Sequence, residues 1–386
     1  MKKTKLIRTA TVAMSLDILL KGQLQFLNES YDVIAVSGDD EHLQTVKNRE
    51  GVTVKDVAIK RNISPLNDLV SLYKLYRYFK KEKPLIVHSI TPKAGLLSMT
   101  AAYFARVPIR IHTFTGLIFP TKTGVMKVLL IFMDKILCNF ATNIYPEGQG
   151  VKNDLIRYNI TKKPLKIIAN GNVNGIDTNY FHPEIFSQDE KRELKTKLGI
   201  KPEDFVFIFI GRLVSDKGIN EAIRAFKEFK DDSVKLLLVG PFEDSDPLLS
   251  QTLIEIEENK NIISVGFQKD VRPFFAIADT FVFPSYREGF PNVVLQAGAM
   301  GLPSIVTDIN GSNEIIQNEI NGTIIPVKDV DSIFKEMKTM RESEKDRIKM
   351  RQNARQIIIS KYEQKVVWEE IQKEYHKLES NSNRNV

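Results

Sequence analysis

Cysteine is almost missing from this chain of 386 residues: Cys138 stands alone. That excludes an internal disulfide and points to a reducing, cytoplasmic compartment. No run of 18 apolar residues exists either. The nearest approach, Val125 to Ala141, is interrupted by Lys127, Asp134 and Lys135, so no transmembrane helix is expected. The five histidines, at 42, 88, 112, 182 and 376, show no ligand spacing and have no cysteine pair to join, so no bound metal is expected. Met1-Lys2-Lys3 opens like a signal peptide, but Arg8, Asp17 and Lys21 break the apolar stretch and no small-residue cleavage site follows. No G-x-G-x-x-G follows the first strand pattern, which argues against a dehydrogenase. No recognition-helix or aromatic RNA-binding motif is present, so nucleic acid is not an expected partner.

What is present is an ordinary globular composition, 42% hydrophobic and 27% charged, long enough for two domains with their own cores. The net charge of +7 is unevenly placed. Residues 1–180 hold 26 Lys+Arg against 14 Asp+Glu, and the remainder holds 29 against 34. A basic first half suggests an anionic partner, either a phosphorylated substrate or an anionic membrane surface; solvated surface charge is the alternative.

Short β-rich runs alternate with helix-period segments. Strands are expected at 5–13, 31–37, 52–59, 85–90, 109–113 and 166–168, with helices at 66–79 and 94–105 between them. This alternation predicts βαβ units and a parallel sheet. A stretch rich in Asn, Gly and Pro then marks a linker near 171–195. A second series follows, with strands at 205–210, 234–239, 262–265, 280–283, 304–307 and 323–327, and helices at 330–340, 344–360 and 362–378. Residues 379–386 read as a polar, frayed tail. The expectation is two doubly wound Rossmann-like domains, with ligands at the carboxyl ends of the strands.

Two segments carry the chemistry. In Gly211-Arg212-Leu213-Val214-Ser215-Asp216-Lys217-Gly218 a buried strand ends and a helix starts. A guanidinium, an ammonium and a helix N-terminus gathered there suit a diphosphate. In Phe283-Pro284-Ser285-Tyr286-Arg287-Glu288-Gly289-Phe290-Pro291-Asn292-Val293-Val294-Leu295-Gln296 another strand ends and a helix begins near Asn292. Glu288 on the loop and Gln296 one helical turn in would line one cavity, and Gly289 permits close backbone approach.

These segments resemble glycosyltransferase family 4, retaining enzymes with the GT-B fold, and among them bacterial capsular and O-antigen polysaccharide glycosyltransferases. GRLVSDKG matches that family's phosphate loop, and FPSYREGFPNVVLQAGAMGLPSIVTD resembles its donor signature of two acidic residues separated by seven. INGSNEII and NGTIIP add to the likeness, and RIHTFTG and NGNVNGIDTNYFHP extend it more loosely over the first half. The resemblance implies two Rossmann-like domains facing across a cleft. An acceptor-binding domain would span 1–180 and a nucleotide-sugar-binding domain 195–360. Residues 361–386 would form a C-terminal helix and tail packing back on the first domain. It implies transfer of a sugar from a nucleotide diphosphate, with retention and no metal. Arg212 and Lys217 would hold the diphosphate, Glu288 the donor sugar, and His112 would sit beside the transferred sugar and acceptor. The implied nucleotide-sugar-binding set is Gly211, Arg212, Lys217, Glu288, Gly289, Phe290, Asn292, Val293 and Gln296.

Two departures stand out. Gln296 occupies the second acidic position and lacks the charge that strengthens hydrogen bonds to a ribose diol. After the first strand, Ala13-Met14-Ser15-Leu16 replaces paired glycines, with Ser15 a candidate cap and Gly22 expected inside a helix. The mechanism expected is stabilisation of a departing diphosphate by pre-placed cations, the acceptor hydroxyl attacking from the same face. For the acceptor, Lys74, Arg77, Lys80, Lys81 and Lys83 cluster at one helix end, and 122–140 mixes lysines with apolar residues. This favours a lipid-diphosphate-linked glycan and peripheral attachment to an anionic membrane; a core helix with charged edges is the alternative. Competing readings are a nucleotide-sugar epimerase or hydrolase, and a non-catalytic sugar-nucleotide-binding protein.

Overall fold

The computed structural model describes residues 3–60, 62 and 64–383. The chain forms two compact units, Met1–Gly175 with Gln364–Val386, and Ile176–Glu363. The first holds strands β1 (Thr4–Val12), β2 (Tyr31–Gly38), β3 (Thr53–Asp56), β4 (Ile86–Ser89), β5 (Ile109–Phe114) and β6 (Asn143–Pro146), in the order β3-β2-β1-β4-β5-β6. Every pairing is parallel. The second holds β7 (Phe205–Ile210), β8 (Val234–Val239), β9 (Ile262–Ser264), β10 (Thr280–Phe283), β11 (Ser304–Thr307) and β12 (Gly322–Ile325), in the order β12-β11-β10-β7-β8-β9, again all parallel. Counted from its own first strand, the second sheet repeats the order of the first. Each is a Rossmann-like doubly wound sheet. The order reverses between β1 and β4 in one and between β7 and β10 in the other, and such a switch point opens a crevice at the carboxyl ends.

Helices on both faces explain the unbroken apolar strands. All six residues of β7, Phe-Val-Phe-Ile-Phe-Ile, are buried, as a strand covered on two sides requires. The helix Gln364–Asn383 belongs to the first unit. Val367, Ile371 and Tyr375, at helical spacing, join the core beside Leu6, Ile86 and Ile111. Polar contacts fix it further: Arg8 Nη1 donates to Tyr375 Oη at 2.7 Å, and His88 Nδ1 lies 2.6 Å from the same oxygen. His88 Nε2 lies 2.7 Å from Thr113 Oγ1. Burial, with Arg8 adding to it, pushes the His88 pKa well below the usual histidine value, so this imidazole is a neutral structural residue.

Several local expectations change. Residues 166–168 form no strand; the sixth strand is β6, four residues ending in Pro146, too short to stand out in the sequence. β1 runs directly into the helix Ala13–Leu19, so Ser15 lies inside that helix and caps nothing. Gly22 is the N-cap of Gln23–Asn28 at φ 80°, under the Trp368 ring. Residues 176–194 are part of the second unit rather than a free linker. Arg355 donates to the Thr178 and Phe181 carbonyls at 3.1 and 3.0 Å, and Ser187 and Glu190 close a capping box on the helix Gln188–Lys197. The last helix extends through the expected tail to Asn383; Met1, Lys2 and 384–386 lie outside the described residues.

Candidate functional site

In the second unit the loops after β7 and β10 meet at the switch point. The loop after β7 ends in a short turn, Ser215–Lys217, and Gly218 caps the helix Ile219–Lys227. Gly218 has φ 72°, and a Cβ there would stand 2.1 Å from the Pro284 carbonyl oxygen. Only glycine lets the loops approach this closely. Gly311, at φ 74°, plays the same part under the other side of the loop, where a Cβ would stand 2.5 Å from the Gly289 oxygen. Hydrogen bonds then lock the two loops. Tyr286 N donates to Asp216 O at 2.8 Å, and Arg287 Nη2 to Asp216 Oδ2 at 3.1 Å.

This frame brings Lys217 and Glu288 into direct contact, Nζ donating to Oε1. Ser285 Oγ donates to the same carboxylate oxygen at 2.9 Å. Both charged side chains are mostly buried, 16% and 17% exposed, so the pair is only partly screened by water. Lys217 Nζ also lies 5.5 Å above the Phe283 ring. Arg212 is half exposed, and its Nη1 donates to Glu243 Oε2 at 2.6 Å. The Glu243 hydrogen bond raises the Arg212 pKa, and Asp216 and Glu288 are close enough to add to the effect. Two cations and a carboxylate thus share one strand-end crevice.

The helix Asn292–Ala299 starts at the same edge with Pro291 as N-cap and no side-chain cap. Asn292, Val293 and Gln296 are each half-buried and share one helical face. Gly289 is half-buried on the loop before it. Phe290 departs from the expected set as a side-chain contact: its ring is 6% exposed and packs on Tyr362, 5.6 Å between centroids. Gly211 lies where expected, directly after β7, with its oxygen against Gly240.

His112 is placed differently from the expectation. It belongs to the first unit, on β5, and is 0% exposed. Its Nδ1 lies 2.8 Å from Ser89 Oγ, its Nε2 is buried with no hydrogen-bond partner, and Phe114 packs edge-on at 4.5 Å. Burial lowers its pKa to about 3. A Cβ on Gly95 would stand 2.5 Å from the ring. This imidazole is buried in the core of the first unit.

Residues 190–357 match the family described as glycosyl transferases group 1, and 13–147 match glycosyl transferase 4-like. The chain is 32% identical over 380 residues to the capsular polysaccharide biosynthesis glycosyltransferase CapM of Staphylococcus aureus, covering 97% of this chain and 98% of that protein. The chain belongs to the GT-B glycosyltransferases. The transferase is also 33% identical over 280 residues to an Escherichia coli enzyme named UDP-Gal:alpha-D-GlcNAc-diphosphoundecaprenol alpha-1,3-galactosyltransferase, 71% of this chain and 70% of that one. The fold is that of Anabaena Alr3699/HepE, solved in complex with UDP, with a TM-score of 0.82 at 18% identity over 97% of this chain and 100% of that one.

As a GT-B glycosyltransferase related to bacterial polysaccharide enzymes, the protein transfers a sugar from a nucleotide-diphosphate donor to an acceptor. Among the described residues, no three His, Cys, Asp or Glu side chains gather into a group able to hold a metal ion. Sequence reasoning missed Glu243, which holds Arg212, and Asp246, whose carboxylate accepts from Asp216 N at 2.7 Å. The available signal was their position: both follow β8, the strand beside β7, at its carboxyl end.

Proposed function

We propose that the transferase moves a hexose or N-acetylhexosamine from a UDP-sugar, with retention, to a lipid-diphosphate-linked glycan in bacterial surface polysaccharide synthesis. The observation that carries the reading is the contact between Lys217 and Glu288 at the β7/β10 switch point, with Arg212 beside it. In this reading Arg212 and Lys217 bind the diphosphate, and Glu288 is released from Lys217 to accept hydrogen bonds from the donor sugar. As the bond to the diphosphate breaks, charge grows on the leaving oxygens, and fixed cations stabilise it more than they stabilise the bound donor. The acceptor hydroxyl attacks from the same face and passes its proton to the leaving phosphate. Gln296, Asn292 and Val293 form the helix face assigned to the nucleotide, with Gly211, Gly289 and the Phe290 backbone lining the loops.

The acceptor belongs to the first unit. The helix Gly124–Phe140 buries Leu137 and Cys138 but exposes Val125, Val128, Leu129 and Phe132, an i, i+3, i+4, i+7 stripe. Exposed Lys122 and Lys135 flank it. This supports peripheral attachment to the inner face of the cytoplasmic membrane through an interfacial helix. No helix among the described residues is long and apolar enough to cross a membrane. A thermal-shift screen of sugar nucleotides, followed by transfer to lipid-linked glycan, tests the donor and acceptor. Stabilisation by no sugar nucleotide refutes the reading, and sedimentation with vesicles that is indifferent to anionic lipid refutes the attachment.

A further inference from the structure

The loops around the switch point of the second unit carry more negative than positive charge. Segments 211–218, 240–249 and 284–291 hold Arg212, Lys217 and Arg287 against Asp216, Glu243, Asp244, Asp246 and Glu288. Each cation is paired: Arg212 with Glu243 at 2.6 Å, Arg287 with Asp216 at 3.1 Å, and Lys217 with Glu288. A site built for the tightest grip on any anion would leave its cations in excess. This one offsets them, so the charge of the ligand decides how well it is held.

Glu243 is fixed there by its backbone. Its loop follows β8 and runs beside the loop after β7. Leu213 N donates to Pro241 O at 2.8 Å and Ser215 N to Asp246 O at 3.1 Å, one bond on either side of Glu243. The Glu243 carboxylate takes only Nη1 of Arg212. Nε and Nη2 have no partner among the described residues, so nitrogens able to grip two phosphate oxygens stay open. A diphosphate can therefore bind Arg212 without displacing Glu243, and the carboxylate stays one guanidinium away from the bound phosphates. Being 37% exposed, it acts through partly screened charge.

The reaction changes the ligand's charge. The sugar–oxygen bond breaks with its electron pair on the terminal phosphate, and the acceptor oxygen bonds to the anomeric carbon. The acceptor's proton passes to that phosphate and then to water. A terminal phosphate loses its second proton at about pH 6, so above that pH the nucleoside diphosphate carries an additional negative charge that the donor lacked. We propose that Glu243 sets the preference of this site for the sugar-nucleotide donor over the nucleoside diphosphate product, repelling the product so that it leaves; the assignment rests on the reading of Arg212 and Lys217 as the diphosphate ligands. Glu243 is a positioning residue here: it acts through Arg212 and through its charge, and touches neither sugar nor acceptor.

The test is calorimetric titration of the full chain with UDP and with UDP methylated on its terminal phosphate, an ester that keeps the donor's charge and carries no sugar. The variant is Glu243→Gln, which keeps an oxygen for Arg212 and loses the charge; its folding is checked by its melting temperature. At about pH 8 the affinity ratio of UDP to its methyl ester should rise in the variant by roughly two- to fivefold, the range of exposed charge pairs. At about pH 5, where UDP keeps its second terminal proton, the ratio should match the parent's. Asp232→Asn removes an equal charge from the pair with Lys260, ahead of β8 at the opposite end of the sheet, and should leave the ratio unchanged. An equal ratio in parent and Glu243→Gln at the higher pH overturns the proposal. A rise that persists at the lower pH, or that Asp232→Asn reproduces, overturns it as well, because neither depends on the product's additional charge beside Glu243. Arg212→Ala binding both ligands as tightly as the parent removes the diphosphate reading itself, whatever Glu243→Gln shows.

Discussion

Replacing Lys217 with alanine removes one charge from two different roles, and the two can be separated. In the unliganded enzyme its ammonium neutralises Glu288, a carboxylate only 17% exposed that also accepts from the Ser285 hydroxyl at 2.9 Å. Leaving that carboxylate with one neutral donor costs about 1–2 kcal/mol of stability. During transfer the same ammonium faces the leaving diphosphate. Two unit charges about 4 Å apart at an effective dielectric of roughly 20 interact by about 4 kcal/mol. If most of that is realised in the transition state, turnover falls by roughly a hundredfold to a thousandfold. The assay is kcat at saturating donor, corrected for folded fraction, in Lys217→Ala and in Lys217→Ala with Glu288→Gln. The double variant removes the unpaired carboxylate and should recover the stability but none of the turnover. Turnover of the single variant within about threefold of the parent, or recovery of turnover together with stability, refutes the electrostatic argument.

Gly218→Ala, which would bring a Cβ to 2.1 Å from the Pro284 oxygen at a positive φ, should part the two loops and depress both melting temperature and turnover; unchanged kinetics would show the contact to be dispensable. Tyr375→Phe removes the hydroxyl shared by Arg8 and His88 and should destabilise by about 2–4 kcal/mol in denaturant unfolding, because two buried polar groups lose a partner. His112→Ala should lower stability but change turnover per folded molecule by less than about threefold, since the ring is wholly buried; a hundredfold loss at unchanged stability would return it to the active site. Asp134 has its pKa raised to about 7 by burial. The folded state therefore binds its proton more tightly than the unfolded state does, and stability is lost as pH rises from about 4 to about 7. Asp134→Asn should remove that loss and exceed the parent at pH 8 by about 1–2 kcal/mol, allowing for partial exposure; parallel pH profiles of melting temperature would contradict it.

The sequence by itself determined the twofold α/β plan and most of the second sheet. Strands such as Phe205–Ile210 and Val234–Val239 are apolar throughout because both faces are covered, and that pattern is visible without coordinates. It also determined the loops carrying Arg212, Lys217 and Glu288, since strand ends followed by helix starts are local features. Tertiary structure decided the rest. β6 and the course of 166–175 depend on pairing with β5 and on packing against Gln364–Asn383, and no local period encodes those. Gln364–Asn383 gives its helical period away, but its home in the first unit rests on Tyr375 meeting Arg8 and His88, residues 367 and 287 positions distant. Glu243 became part of the site only because β8 lies beside β7. The burial of His112 was likewise hidden, because residue type and strand position say nothing about which layer a side chain faces until Gly95 and Phe114 close on its ring.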